Sequence, residues 1–409
     1  MHEEDLGFDP TIIKKDGRQF ITIKRKGQTE RLVIDKLMKR APCIAGRATT
    51  CWKAYREEDP QTPFVIKDSW QYTEREEEGE LLKEATDKGV VNVARYYHHE
   101  TVFVRGKVDD IRNSVREGLN IMEANNYRPE RSVLSPSTNT VNAPRKNRKS
   151  NAAGVKRSSS QTGAPLPPSK RSCSASPTKA DSNALSNRIH RRVILRDYGT
   201  PIYKASSRAA LLAALEGCIE GHESLRRAGF LHRDISINNL MINEDDNPSW
   251  PWFLIDLDLA IKEQRESASG AKGKTGTRAF MAIGALLGEQ HSFMHDLESF
   301  FWVLFWICIH YNGPGKDIGS TEFESWNYES DNKLVRSKKG EIADEEDFLK
   351  TADNNFTLYY RPLIPWVNRL RRKVFPNGKR WKRPEPELYS SMKAILREAR
   401  KDPEVLADG

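Results

Sequence analysis

The chain lacks an apolar run long enough to cross a bilayer. Its longest, "FFWVLFWICI" at 300–309, is about half of what a spanning helix needs and reads as a buried core helix. The N-terminal stretch "MHEEDLGFDPTIIKKDG" has no apolar core of a signal peptide. Cysteine is scarce: Cys43, Cys51, Cys173, Cys218 and Cys308 form an odd set with no CxxC pair and no Cys/His cluster. That spacing offers nothing to zinc and fits a reducing compartment, cytoplasmic or nuclear. At 37% the hydrophobic content is low for 409 residues, so part of the chain is expected not to pack. Acidic residues are nearly missing from one segment. Between Tyr127 and Asn187 eleven Lys+Arg face two acids, so this segment accounts for the whole net charge of +9 and the remainder is close to neutral. The charge is therefore no general nucleic-acid signature.

That segment, "SPSTNTVNAPRKNRKSNAAGVKRSSSQTGAPLPPSKRSCSASPTKADSN", also has almost no aromatics. It cannot bury enough apolar surface to offset the entropy of ordering it and reads as a disordered insert. A solvated linker is the plain reading. The alternative is a nuclear-import or nucleic-acid-contacting patch on "PRKNRK" and the two "KR" pairs, with Ser135 and Ser176 before prolines as phosphosites.

Elsewhere the pattern alternates. Residues 17–40 switch between apolar and polar around Gly27, as a hairpin does. Strand-like runs follow in "APCIAGRATTCWKAY" and "PFVIKDSW", then a helical "WQYTEREEEGELLKEATDKG", a strand "VARYYHHETVFV" and a helical "DDIRNSVREGLNIMEA". After the insert come a strand in "RIHRRVILRDYGTPIY" and a helix whose face carries Leu211, Leu215, Cys218, Ile219, His222 and Leu225. Ser206 or Ser207 is placed to cap that helix and Gly229 to end it; His222 reads as a packed core histidine. No internal repeat is present. Strand-rich first and helix-rich afterwards, the sequence predicts an α+β chain of two lobes. The expected layout is an N-terminal extension and hairpin (1–40) and a β-rich N-lobe (41–126). The insert (127–187), a last N-lobe strand and hinge (188–205), a helical C-lobe (206–398) and a tail (399–409) complete it.

The chemistry converges on "HRDISINNLMI" at 232–242. Transfer of a γ-phosphoryl group needs positioning and charge neutralisation more than covalent chemistry. Lys67 in "FVIK" matches the strand lysine that holds phosphates, although a lysine ending a strand is ordinarily just solvated. Glu78, eleven residues on, suits its acidic partner, with Glu77 and Glu80 as rivals. Asp234 is placed to orient the attacking hydroxyl, and Asn239 five residues later to hold magnesium. His232 is expected to be structural, and Arg233 to pair with a phosphorylated loop. Asp256 at the end of "WFLI" stands where D-F-G supplies the main metal ligand. Thr277 in "GTRAFMA" is expected to face the catalytic loop, and Asp296 in "HDLESFFWVLFWI" to hold the His-Arg-Asp backbone.

With "GFDPTI", "GRATTCWKA", "VIKDSW", "EGELLKEA", "LHRDISINN", "LIDLDLA", "GTRAFMA" and "HDLESFFWVLFWIC", the chain resembles the fungal-type protein kinase group, a divergent branch of the protein-kinase superfamily. The resemblance spans most of the chain. It implies a bilobal kinase fold, ATP and magnesium in the cleft, and phosphorylation of Ser/Thr hydroxyls on a protein substrate. No membrane partner is implied, and nucleic acid only through the basic insert. The Asp-Leu-Glu-Ser of the large helix is similar to casein kinases.

The chain departs from the general pattern in several places. Of the glycine-rich loop only Gly46 remains, with Ile44 and Thr49 at the other glycine positions and Cys51 over the adenine. D-F-G has become Asp256-Leu257-Asp258, and A-P-E is missing, leaving no evident acid to brace that segment. Ser236 replaces the catalytic-loop lysine of Ser/Thr kinases; RIO-type kinases are similar in carrying serine there. Expected autophosphorylation sites are Ser267, Ser269 and Thr275. The contrasting readings are a pseudokinase that binds nucleotide without turnover and a small-molecule phosphotransferase.

Overall fold

The computed structural model of the chain describes residues 9–41, 46–116, 119, 187–263 and 276–407. The predicted hairpin is present as β2 (Arg18–Arg25) and β3 (Gln28–Arg40). They turn through Lys26 and Gly27, both at positive φ (50° and 77°), the two-residue turn whose twist suits a hairpin. β1 (Ile13–Lys15) pairs outside β2. Next come β4 (Thr50–Arg56), β5 (Asp59–Tyr72), α1 (Glu78–Asp87) and β6 (Tyr96–Thr101). A small hairpin, β7 (Phe103–Val104) with β8 (Lys107–Val108), precedes β9 (Arg188–Leu195). The sheet runs β1-β2-β3-β4-β5-β9-β6. β9 slots between β5 and edge strand β6, so the chain returns after residue 186 to an inner position of the same sheet.

Two expected helices differ from what forms. The helix expected from Trp70 starts only at Glu78, because Trp70–Tyr72 keep their backbone groups in the β5–β9 ladder. Of the helix expected over 109–124, the described residues show a single wide turn, Ile111–Val115, opened by the Asp110 side chain accepting from Asn113 N at 2.6 Å.

Alternation in β5 sorts its side chains to two faces. Phe64 and Ile66 enter a small cluster with Ile21, Ile23, Leu32, Ala54, Tyr97 and Ile194. Val65 faces the other way and joins a large cluster continuous with the helical lobe. Lys67, two residues from Val65, therefore points toward the junction of the lobes.

That second lobe begins with β10 (Thr200–Pro201) and α2 (Arg208–Arg227). Ser207 is the cap, accepting from Ala210 N at 3.1 Å, and Gly229 at φ 90° follows the end. A mid-helix glycine costs about 1 kcal/mol relative to alanine, yet α2 has two for a packing reason. A Cβ on Gly217 would lie 1.7 Å from the Trp252 ring, and one on Gly221 would lie 2.3 Å from the Asn92 carbonyl. The close approach seats β13 (Trp252–Leu254), which leads directly to Asp256, against the helix. β11 (Phe230–Leu231), β12 (Leu240–Ile242) and β14 (Ile261–Lys262) complete the small strands; β12 pairs β10 and β13, and β11 pairs β14.

After α3 (Ile283–Leu286) comes α4 (Phe293–His310), the predicted core helix, with nearly every side chain buried. A helix apolar all round has to be enclosed. Around it pack α5 (Asp331–Ala343), α6 (Glu345–Asn355), α7 (Ile364–Val374) and α8 (Leu388–Ala399), while α9 (Pro403–Leu406) packs on α2. Among the described residues no helix is long and apolar enough to cross a membrane. The result is a curled β-rich lobe on a larger helical one, the α+β arrangement that the sequence implies.

Candidate active site

Lys67, the strand lysine, is buried. Its Nζ donates to Glu78 Oε1 at 2.7 Å and Oε2 at 2.6 Å, and to Asp256 Oδ1 at 3.0 Å; Asp258 Oδ2 lies at 3.6 Å. Glu78 is the first residue of α1, where the helix dipole favours a carboxylate, and its Oε1 also accepts from Leu257 N at 3.1 Å. The rivalry among the three glutamates is decided by direction. Glu77 turns to Arg191 at 3.2 Å, and Glu80, largely exposed, meets His99 at 3.1 Å. Burial opposes the Lys67 charge, but Asp256, Asp258 and Glu78 outweigh it and hold the ammonium well above its ordinary range. Burial and Asp258 push the Glu78 carboxyl up, while Lys67, bonded to both of its oxygens, pulls the other way.

The catalytic-loop candidates lie between β11 and β12. Asp234 Oδ1 accepts from Thr277 N at 3.0 Å and from Thr277 Oγ1 at 3.1 Å, so Thr277 does face this loop. Asn239 Nδ2 donates to the Asp234 carbonyl at 2.8 Å, which closes the five-residue loop and fixes the amide. Asp256 follows β13 in the left-handed region (φ 71°), and Arg233 shares that conformation (φ 68°). Two non-glycine residues held there store local strain of a kind that clusters at functional sites.

Asp296 holds the loop from below. Its carboxylate accepts from His232 N and Arg233 N, each at 3.2 Å, and lies 2.8 Å from both His222 Nε2 and His291 Nε2. Burial would raise this carboxyl, but His291 and His222 hold it well below the usual range. His222 is fully buried, as expected of a core histidine, but it also links Asp296 to the Tyr389 hydroxyl at 2.8 Å. Its place on an apolar helix face concealed that link in the sequence.

The loop between β3 and β4 supplies a residue that sequence reasoning passed over. Gly46 adopts φ 119° and its carbonyl accepts from Arg188 Nη1 at 2.9 Å. Beside it, Arg47 Nη1 donates to Asp258 Oδ2 at 2.6 Å and lies 3.6 Å from Asp256 Oδ1. The signal was present: Arg47 adjoins the one retained glycine, and Asp258 stands where D-F-G has glycine. Cys51 is the cross-strand neighbour of Lys67, and burial pushes its thiol up to about 11.

The missing A-P-E acid has a substitute. Buried Glu298 on α4 accepts from Ile283 N at 2.7 Å and Trp302 Nε1 at 3.0 Å. Fully buried Lys338 on α5 donates to the Ala279 carbonyl at 2.8 Å and the Met281 carbonyl at 2.7 Å. Its Nζ lies 4.5 Å from the Trp302 ring centre and 5.1 Å from that of Trp326. The segment is thus braced by two side chains far apart in sequence. Ser267, Ser269 and Thr275 lie outside the described residues.

Oxygens of Glu78, Asp256 and Asp258 all approach within 4.8 Å of one another. This hard, anionic donor set fits magnesium, which takes carboxylate, amide and phosphate oxygens. Asp256, with Asn239 beside it, would be the residue to hold it.

A β-rich lobe with a buried Lys–Glu pair, above a helical lobe carrying His-Arg-Asp and a second aspartate, defines the protein-kinase class of folds. The fungal protein kinase model matches residues 1–308, and the chain belongs to that family. A probable casein kinase I homologue of Encephalitozoon cuniculi is 25% identical over 167 residues, covering 38% of this chain. The chain spans about half the length of that curated relative (51%). The solved structure of vaccinia related kinase 3 aligns over 99% of both chains at a TM-score of 0.47 and 10% identity.

Proposed function

We propose that the chain is a protein kinase that transfers the γ-phosphoryl group of ATP to Ser/Thr hydroxyls of a protein, with magnesium. One observation carries the reading. Lys67, Glu78, Asp234, Asn239 and Asp256 come from four separate stretches of chain, and they converge with the Lys67–Glu78 pair formed and Asp234 oriented by Thr277. In this reading Lys67 holds the phosphates, Glu78 fixes Lys67, and Gly46 and Cys51 line the nucleotide. Asp256 and Asn239 would hold the metal, which would supply charge neutralisation to the phosphates. Asp234 orients the acceptor hydroxyl and takes its proton. The acceptor oxygen gains the bond to phosphorus while the bond to the ADP oxygen breaks, its electron pair leaving with ADP.

Family membership supports phosphotransfer in general, and the named casein kinase homologue supports a hydroxyl acceptor on protein. The test supplies purified full chain with magnesium and labelled ATP, offering casein and a set of small alcohols and amines. Phosphoserine or phosphothreonine on casein or on the chain itself is the expected product. Label confined to phosphotyrosine, or to the small acceptors, contradicts the reading.

A further inference from the structure

The catalytic loop has no cation after Asp234. Residues 235–238 read Ile-Ser-Ile-Asn. Ser236 is fully buried and its Oγ finds no hydrogen-bond partner among the described residues, so this position delivers no charge to a phosphoryl group. Glu78, Asp234, Asp256 and Asp258 put four carboxylates around the site, and Lys67 is already engaged with three of them. A second cation, Arg47, reaches the same aspartates from the loop that follows β3.

We infer that Arg47 is the phosphate-binding cation that stands in for the missing catalytic-loop lysine, with Asp258 as its positioning residue; this rests on the phosphotransfer reading above. The placement is built into the backbone. Trp70 N donates to the Arg47 carbonyl at 2.8 Å, and Arg188 Nη1 holds the neighbouring Gly46 carbonyl. Arg188 is itself fixed by a 2.6 Å bond to the Tyr72 hydroxyl and lies 4.5 Å over that ring. Both carboxylate contacts of Arg47 run through Nη1, and a planar guanidinium carries five N–H donors suited to phosphate oxygens. Burial works against the Arg47 charge, but Asp256, Asp258 and then Asp234 outweigh it and hold the group above its ordinary range. A guanidinium stays protonated in proteins, and its contacts with Asp258 and Asp256 place this permanent cation beside the metal-site carboxylates.

The replacement of glycine by Asp258 is explained at the same time. Its carboxylate fixes the guanidinium from the lobe opposite the loop, so two departures from the general kinase pattern form one device. Arg47 makes and breaks no covalent bond; it offsets charge that grows on the transferred phosphoryl oxygens.

The test compares wild type, Arg47→Ala, Arg47→Lys and Asp258→Asn as full chains. Calorimetry with magnesium measures affinity for ADP and for a non-hydrolysable ATP analogue. The melting temperature and the kcat of phosphotransfer are measured alongside. Arg47→Ala is expected to weaken the triphosphate analogue by about 10- to 100-fold while changing ADP affinity severalfold at most. Arg47→Lys recovers part of the loss, and Asp258→Asn gives a smaller loss of the same pattern. Equal losses for ADP and the analogue, or a lower melting temperature with unchanged affinities, would reduce Arg47 to a structural tie between the lobes and overturn the inference. If wild type transfers no phosphate but the analogue-specific loss appears, the kinase reading fails and takes the stand-in role with it, while the contact of Arg47 with the terminal phosphate stands. If wild type turns over and Arg47→Ala matches it in kcat and analogue affinity, the reverse holds.

Discussion

At the scale of single residues, the buried Lys67–Glu78 pair joins both lobes to one point, because Glu78 also accepts from Leu257 N. Glu78→Gln keeps the shape and removes the charge that fixes Lys67. It is expected to lower phosphotransfer by about 10²-fold, a typical loss for disturbed preorganised electrostatics, with nucleotide-free melting nearly unchanged. A steady-state rate within twofold of wild type would contradict that role. His190 offers a pH test away from the site. Its ring lies 3.0 Å from Asp109 and 3.5 Å from Asp68, stacks on Trp70, and has the buried Arg192 guanidinium nearby. Burial and Arg192 oppose its proton, but the two aspartates prevail and raise it from 6.5 to about 9. The folded-state value is the higher one. The stabilisation is therefore complete below pH 6.5 and is lost as pH rises through about 9. The shift corresponds to about 3 kcal/mol. Urea titrations of wild type and His190→Gln should converge between pH 6 and pH 10, and parallel curves would rule the linkage out.

At the scale of elements, α4 and the stretch Ala279–Met281 that α5 braces dominate the stability of the helical lobe. Phe301, fully buried among Trp302, Phe305, Phe348 and Phe375, should cost about 3–5 kcal/mol when changed to alanine. Lys338→Met keeps the apolar stem between Trp302 and Trp326 but leaves the Ala279 and Met281 carbonyls unpaired. About 2–5 kcal/mol of destabilisation is expected from two buried acceptors left without donors. Denaturant unfolding checks both, and a neutral Lys338→Met would show that the brace is dispensable. Elements with strong periodicity were legible in the sequence: the β2–β3 hairpin, α2 with its Ser207 cap, and α4. The start of α1 was not. "WQYTEREEEGELL" has helical composition throughout, but the ladder to β9 claims Trp70–Tyr72 first, and no local pattern reveals a strand that arrives from beyond residue 186.

At the scale of the whole molecule, residues read as separate matches in order along the chain are brought together by the fold. Lys67 and Asp256 are 189 residues apart, and Asp234 and Thr277 are 43 apart. Family motifs made those pairings legible. Arg47–Asp258 and Glu298–Ile283 were not, because each replaces a familiar feature with residues that sequence order does not connect. The basic stretch 127–187 lies almost wholly outside the described residues, and its two readings, linker and import patch, can be separated by themselves. As a solvated linker it is expected to leave the distribution of a fused reporter unchanged, and accumulation of the reporter in the nucleus would contradict that and establish the import patch.

The central claim is phosphotransfer organised by Asp234. Labelled ATP with magnesium, given to wild type and to Asp234→Ala side by side, measures it most directly. Incorporation by wild type is expected, with a fall of about 10²- to 10⁴-fold in the variant. Equal incorporation in both, or none in either while ATP still raises the melting temperature, would contradict it and leave a nucleotide-binding protein without turnover.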